Sequence, residues 1–296
     1  MKIGIVVKPK AVLYELTNEN QKSKDYTLAS DEVLSGWAVG VLERRGEYLK
    51  VVTHYGYEGL IKKEELIPST QHEIRERDEK QECHVVTTGH ADLMNVPSVR
   101  GRIRDTLYTG SFVFVKENRI ENGYCKVYTA LGREGYLPQI AITSRKDSDA
   151  FLYTDAPEDY FLHQKLCIGE DTFRNEVTEY AKKFLGTQYR WSGKTVDGID
   201  CSGMTFMSYF LCGMLIYRDA KIKEGYPIRK IPADCMKKGD LLYFPGHVAM
   251  YLGDNQFIHS TSYEKSFGCV INSLSPSDVN YREDLMQKLS AVGSIF

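Results

Sequence analysis

At 296 residues the chain exceeds one typical small domain and suits two or three. A formal net charge of −2 and a mean hydropathy of −0.36 give no signal for nucleic acid or an anionic membrane surface, and no run approaches the roughly 18 apolar residues of a membrane-spanning helix. The seven cysteines (Cys83, Cys125, Cys167, Cys201, Cys212, Cys235, Cys269) form no C-x-x-C pair. That argues against a zinc ribbon or redox dithiol, and an odd, dispersed set argues for a reducing compartment over a disulfide framework.

The opening Met1-Lys2-Ile3-Gly4-Ile5-Val6-Val7-Lys8 is too short and too soon polar for a secretory signal. It reads as a first strand, and a cytoplasmic protein is expected, or a secreted one if a leader was removed. Residues 1–145 carry short β-type runs between turns, at 36–42, 48–53, 110–115 and 124–129. Sliding the chain by 76 residues superposes Tyr48, Lys50, Val51, Thr53, Glu58 and Gly59 on Tyr124, Lys126, Val127, Thr129, Glu134 and Gly135, an internal repeat. Each copy reads as strand, turn, then Glu-Gly before two apolar residues. Gly56-Tyr57-Glu58-Gly59-Leu60, and more loosely Gly132-Arg133-Glu134-Gly135-Tyr136, resemble the closing strands of bacterial SH3-like domains; two generic hairpins are the plainer alternative. Residues 71–82 are densely and alternately charged and read as a solvated linker or short exposed helix. The expected division is an SH3-like domain at 1–70, a linker at 71–82, a second SH3-like domain at 83–145, a linker at 146–164 and a third domain at 165–296.

After residue 164 the texture changes. From Asp171, read as an N-cap, Phe173, Val177, Tyr180, Ala181, Phe184 and Leu185 keep helical spacing up to Gly186. A loop with Tyr189, Trp191, Gly193 and Gly198 leads to Asp200-Cys201-Ser202-Gly203. The stripe Met204, Met207, Phe210, Leu211, Met214, Leu215 then predicts a central, buried helix. Strands follow at 241–244, 247–252 and 257–260, the last two joined by a hairpin turn at 253–256. Helices followed by an antiparallel sheet make an α+β domain.

A cysteine where a polar loop becomes a helix is a nucleophile candidate, because the free N–H groups and dipole of a helix start favour thiolate. Glycines nearby (Gly198, Gly203) would leave an approaching carbonyl unobstructed. The bland reading is a buried structural cysteine. A nucleophile needs a base, and the base an orienter. Of seven histidines, His247 and His259 stand on hairpin-paired strands, where pairing around the turn sets them close together and roughly opposite; taken singly, each reads as an ordinary half-exposed histidine. Asp200 has two readings, a helix N-cap or a carboxylate that pairs with a substrate ammonium. Beside a thiolate it would raise the cysteine pKa, which a close His247 must offset.

Residues 186–203, Gly-Thr-Gln-Tyr-Arg-Trp-Ser-Gly-Lys-Thr-Val-Asp-Gly-Ile-Asp-Cys-Ser-Gly, resemble the signature of NlpC-type cysteine peptidases of bacterial cell-wall peptides. Lys238-Gly239-Asp240-Leu241-Leu242-Tyr243-Phe244, His247-Val248-Ala249-Met250-Tyr251-Leu252-Gly253 and Phe257-Ile258-His259-Ser260 are similar to its later blocks, so the resemblance spans about residues 171–262. With two SH3-like domains ahead, the chain resembles the γ-D-glutamyl-L-diamino-acid endopeptidases. The resemblance implies a papain-like α+β catalytic domain behind two all-β SH3-like barrels. It implies Cys201 as nucleophile, His247 as general base and acid, and His259 as its orienter. Tyr189 would line the site and help hold the oxyanion; Asp200 and Ser202 would hold a free substrate amine, and Tyr57 would close that pocket. The implied partner is a peptidoglycan-derived peptide; no cofactor, metal, nucleic acid or membrane is implied, and the oligomeric state stays open. Departures from the family are Leu60 where Trp or Val is common and Ser192 where Gly is common. Residues 273–296 carry no legible motif beyond a short helix expected within 278–289.

Three functions compete at this level. They are a peptidase for freed stem peptides with an N-terminal L-alanine, a secreted hydrolase whose SH3-like domains bind intact wall, and a non-catalytic binding protein.

Overall fold

The computed structural model describes residues 1–16, 28–117 and 119–296. These divide into two compact units, Met1–Pro157 and Glu158–Phe296.

The first unit holds two antiparallel sheets of one design. In the first the strands run in the order Ala29–Leu34, Lys10–Tyr14, Glu58–Lys62, Tyr48–Thr53, Ala38–Arg45, Lys2–Val6, Leu66–Ser69. In the second the order is Ile103–Tyr108, His90–Met94, Glu134–Pro138, Tyr124–Tyr128, Phe112–Phe114, Cys83–Val86, Ile142–Ser144, with Ile120–Glu121 added beside Tyr124–Tyr128. Strand for strand the two orders correspond, and the 76-residue repeat is a repeat of contacts. Lys50 pairs with Glu58 at 2.8 Å and Lys126 with Glu134 at 2.9 Å across equivalent ladders. The Thr53 N–H donates to the Tyr57 carbonyl and that of Thr129 to the Arg133 carbonyl. Both repeats need glycine after that Glu because a leucine lies against it. A Cβ on Gly59 would sit 2.9 Å from Leu13 Cβ, and one on Gly135 2.5 Å from Leu93 Cγ.

Of the two readings of the charged segment 71–82, the short helix holds, with one face covered instead of solvated. Helix α1 (Gln71–Glu79) starts on a capping box, with Thr70 Oγ1 accepting from the Glu73 N–H and the Glu73 carboxylate accepting from the Thr70 N–H. Its inner face is covered. Ile74 is buried with Ile3, Ile5, Ala38, Val52 and Leu152, Arg77 pairs with Asp149, and Asp78 accepts from the Asp149 N–H and the Tyr153 hydroxyl. Arg145 joins this cluster, reaching Asp78, Asp147 and Asp149 at 3.3, 2.8 and 2.9 Å. Alternating charge reads as solvated only while the partners, some 70 residues onward, are unknown. Trp37 Nε1 donates to the Gly110 carbonyl at 2.8 Å, which ties the two sheets together.

In the second unit, helix α2 (Glu170–Lys182) buries Phe173, Val177 and Ala181. Its N-cap is Gly169, not Asp171; Glu170 and Asp171 lie inside the first turn, where carboxylates suit the helix dipole. Helix α3 (Cys201–Leu211) is buried at every position, and Phe173 meets Tyr209 edge-on at 5.3 Å where the two helices pack. A helix buried all round has to satisfy its hydroxyls locally, and Ser208 and Thr205 donate to the Met204 and Ser202 carbonyls. The six-stranded antiparallel sheet runs Arg229–Ile231, Ala291–Ser294, Leu241–Phe244, His247–Gly253, Gln256–Thr261, Gly268–Ser273. A single turn of helix, α4 (Glu283–Met286), precedes the strand Ala291–Ser294. Among the described residues no helix is long and apolar enough to cross a membrane.

Candidate active site

Cys201 is the first residue of α3, and Asp200 caps the helix by accepting from the Gly203 N–H at 2.6 Å. The reason for Gly203 is packing rather than substrate access: a Cβ there would lie 2.1 Å from the Gly193 carbonyl oxygen, so the loop closes directly on the helix start. The preceding Ser192 sits at φ +63°, a left-handed conformation that explains glycine as the common residue there. Cys201 is 6% exposed. Burial, and then the Asp200 charge, push its thiol up to about 11, while the Val248 N–H that bonds the sulfur and the Arg218 charge act the other way.

His247 and His259 meet on the sheet, His247 Nε2 lying 2.7 Å from His259 Nδ1. They are not opposite one another. Asp254 and Asn255, both at positive φ, close a two-residue turn between Gly253 and Gln256. Continued unbroken, that register would set His259 opposite Met250, on the other face from His247. A bulge between Tyr251 and Gly253 moves the pairing by one, to Met250 with Ile258 and Tyr251 with Phe257. The two rings then become diagonal neighbours on one face. Burial first, then the Arg282 charge, lowers His247 to about 4; burial and then His247 itself lower His259 to about 3. Both imidazoles are therefore neutral at neutral pH.

Three residues without a sequence signal complete the site. Asn272 on Gly268–Ser273 places Oδ1 2.9 Å from His259 Nε2. Arg218, buried beyond α3, contacts Asp200, Ser202 Oγ and the Ser192 carbonyl. Arg282, held by Asp284 and lying 4.1 Å over the Tyr263 ring, supplies the cation felt by both histidines. Ser202 also donates to Asp200 Oδ1 at 3.2 Å. Tyr189 is half-buried, bridged to Ile199 and edge-on to Phe267; burial and then the Cys201 and Asp200 charges raise its hydroxyl to about 12. Tyr57 belongs to the first unit, in the turn before Glu58–Lys62, with its N–H donating to Thr53 Oγ1. Among the described residues no group of three His, Cys, Asp or Glu side chains could hold a metal ion.

A cysteine-headed helix packed on an antiparallel sheet that carries an imidazole pair has the architecture of a papain-like hydrolase. The NlpC/P60 family pattern matches residues 186–281. Dipeptidyl-peptidase 6 of Lysinibacillus sphaericus is 34% identical over 272 residues, covering 90% of this chain and 92% of that protein. The chain belongs to the NlpC/P60 family of peptidoglycan hydrolases and dipeptidyl-peptidases. A γ-D-glutamyl-L-lysine dipeptidyl-peptidase of Bacillus cereus (strain ATCC 10987 / NRS 248) is 26% identical over 272 residues, covering 85% of this chain and 71% of that one. The crystal structure of an NlpC/P60 family protein from Bacillus cereus ATCC 10987 shares the fold, with a TM-score of 0.71 at 20% identity over 98% of both chains.

Proposed function

We propose that this chain is a cysteine endopeptidase that cleaves γ-D-glutamyl–L-diamino acid bonds in peptidoglycan stem peptides bearing a free N-terminal L-alanine. The observation that carries this reading is the extent of the likeness: similarity to dipeptidyl-peptidases runs over 272 residues and thus through both units, not the catalytic unit alone. The two repeats of the first unit are taken as SH3-like barrels serving as specificity walls, with Tyr57 contributing to one. On this reading the enzyme works in the cytoplasm on freed peptides.

In the reaction, His247 takes the Cys201 thiol proton as the sulfur bonds the scissile carbonyl carbon, and the carbonyl electron pair moves onto oxygen. The Cys201 N–H at the helix start, with Tyr189 alongside, faces that oxyanion. Collapse expels the diamino acid's nitrogen, which His247 protonates, leaving a thioester. Water deprotonated by His247 then hydrolyses it and restores the thiol. Acid–base help of this kind contributes about 10²–10⁴-fold. Asp200 and Ser202 hold the substrate ammonium.

Incubation with L-Ala-γ-D-Glu-diamino acid peptide, free or blocked at its amine, tests the reading, with Cys201→Ala as control. Cleavage of the free peptide alone is expected. Equal cleavage of both would remove the amine pocket. Cleavage of intact sacculi in preference to either peptide would favour a wall hydrolase, and no difference from Cys201→Ala a binding protein.

A further inference from the structure

We infer that Asn272 is a positioning residue that fixes the tautomers of both histidines and so decides which nitrogen of His247 serves as the base. The inference rests on the peptidase reading only for its catalytic consequence; the tautomer assignment stands on hydrogen-bond geometry. The Asn280 carbonyl can only accept, and Asn272 Nδ2 lies 3.0 Å from it. The amide of Asn272 is thereby oriented, with Oδ1 turned to His259 Nε2 at 2.9 Å. An oxygen acceptor there requires a proton on Nε2, so the Nδ1 of neutral His259 carries a lone pair. That lone pair faces His247 Nε2 at 2.7 Å and must be met by an N–H. In neutral His247 the remaining nitrogen, Nδ1, is then unprotonated and available to the thiol. The opposite arrangement would set the His259 Nε2 lone pair against the Asn272 oxygen inside a site where His259 is 0% exposed, an unrelieved acceptor pair.

The same chain serves both states of the base. When His247 gains a proton on Nδ1, its Nε2–H still donates to His259, and no neighbour has to turn. Asn280 is itself held, its Nδ2 donating to the Ile271 carbonyl at 3.1 Å and to Gln256 Oε1 at 3.3 Å. The orienting carbonyl is thus anchored to the strands that carry His259 and Asn272.

The test is ¹⁵N-histidine NMR of the full chain at neutral pH, together with the iodoacetamide alkylation rate of Cys201 followed by peptide mass spectrometry. Wild type is expected to show Nε2–H at both His247 and His259. Asn272→Leu should populate Nδ1–H at His259 and slow alkylation of Cys201 by about tenfold or more, part of the contribution of an oriented base. Asn272→Asp keeps an acceptor for His259 Nε2 and should retain the Nε2–H tautomer, while its second oxygen, set against the Asn280 carbonyl, lowers stability. A wild-type His259 carrying Nδ1–H overturns the inference without recourse to any variant, which covers the case of a misfolded Asn272→Leu. Unchanged tautomers and alkylation in a folded Asn272→Leu overturn it as well, and so does a folded Asn272→Asp in which His259 carries Nδ1–H. A wild-type chain that shows the expected tautomers but cleaves no peptide would sink the peptidase reading and leave the relay standing.

Discussion

Arg218 grips Asp200 with both arms of its guanidinium, Nη1 3.1 Å from Oδ1 and Nη2 3.2 Å from Oδ2, and both side chains are buried. Asp200 has to cap α3, yet its charge beside Cys201 makes the thiol harder to ionise. Arg218 opposes that effect, and its Nη2 also donates to the carbonyl of the left-handed Ser192 at 3.1 Å. One buried cation therefore supports the cap, the loop and the electrostatics of the sulfur.

Arg218→Met leaves Asp200 buried without its partner and is expected to cost about 3–5 kcal/mol of stability. Arg218→Lys recovers only part, because one ammonium cannot reproduce the fork that spans Asp200, Ser202 and Ser192. Thermal unfolding reads the loss. A double-mutant cycle with Asp200→Asn should give a coupling of at least about 1 kcal/mol, and simple additivity would show that the two do not act as a pair.

The histidine pair makes the second unit acid-sensitive. Folding lowers His247 and His259 from the ordinary 6.5 to about 4 and about 3. Below the ordinary value the unfolded chain takes up protons that the folded chain refuses, so this contribution is fully present above about pH 6.5 and lost as pH falls towards 4. Arg282 sharpens the effect, while Asp200 and Asp284 soften it. Urea midpoints between about pH 7 and 4.5 should fall more steeply for wild type than for His247→Gln/His259→Asn. Parallel slopes would contradict the assignment of neutral buried imidazoles.

In the first unit, Arg145 is shared by three carboxylates, Asp78, Asp147 and Asp149, all nearly withdrawn from solvent. Arg145→Met should destabilise that unit by at least about 3–5 kcal/mol. The two tryptophans report separately, Trp37 being buried in the first unit and Trp191 exposed in the second. In a Trp191→Phe background, the fluorescence midpoint of Trp37 should move to lower denaturant. A midpoint unchanged by Arg145→Met would mean that the cluster does not hold the unit together.

The repeat glycines separate two kinds of crowding. In Gly59→Ala the new methyl meets Leu13 Cβ and the Tyr14 carbonyl, neither of which a side-chain rotation can move aside. In Gly135→Ala it meets Leu93 Cγ and its methyls, which can turn away. Both should fall within the roughly 1–3 kcal/mol cost of overpacking, with Gly59→Ala the larger. The reverse order, measured by chemical unfolding, would argue against the leucine contact as the cause.

Much of the site is legible in the chain because its parts are local. The cysteine heads a buried apolar stripe, and the histidines flank one turn. Their meeting is less local: it depends on a bulge beside Leu252, and alternation of apolar residues does not announce a bulge. Arg218, Asn272 and Arg282 carry no pattern at all, since each acquires its role only when remote strands and loops close over it. The same holds for Arg77 and Asp78. Their neighbours in sequence are charged, which suggests water, but their partners in space are Asp149 and Arg145.

The strand Ala291–Ser294 lies inside its sheet, paired with Arg229–Ile231 on one side and Leu241–Phe244 on the other. Ser294 also donates to Asp240, beside the turn that starts Leu241–Phe244. Proteolytic trimming ahead of Ala291 would thus do more than shorten the chain. It would strip two ladders of their common neighbour and leave two unpaired edges, each a template for pairing with another molecule. Clipped chains should therefore accumulate as aggregates instead of as a smaller active enzyme, and this one strand guards solubility as much as shape.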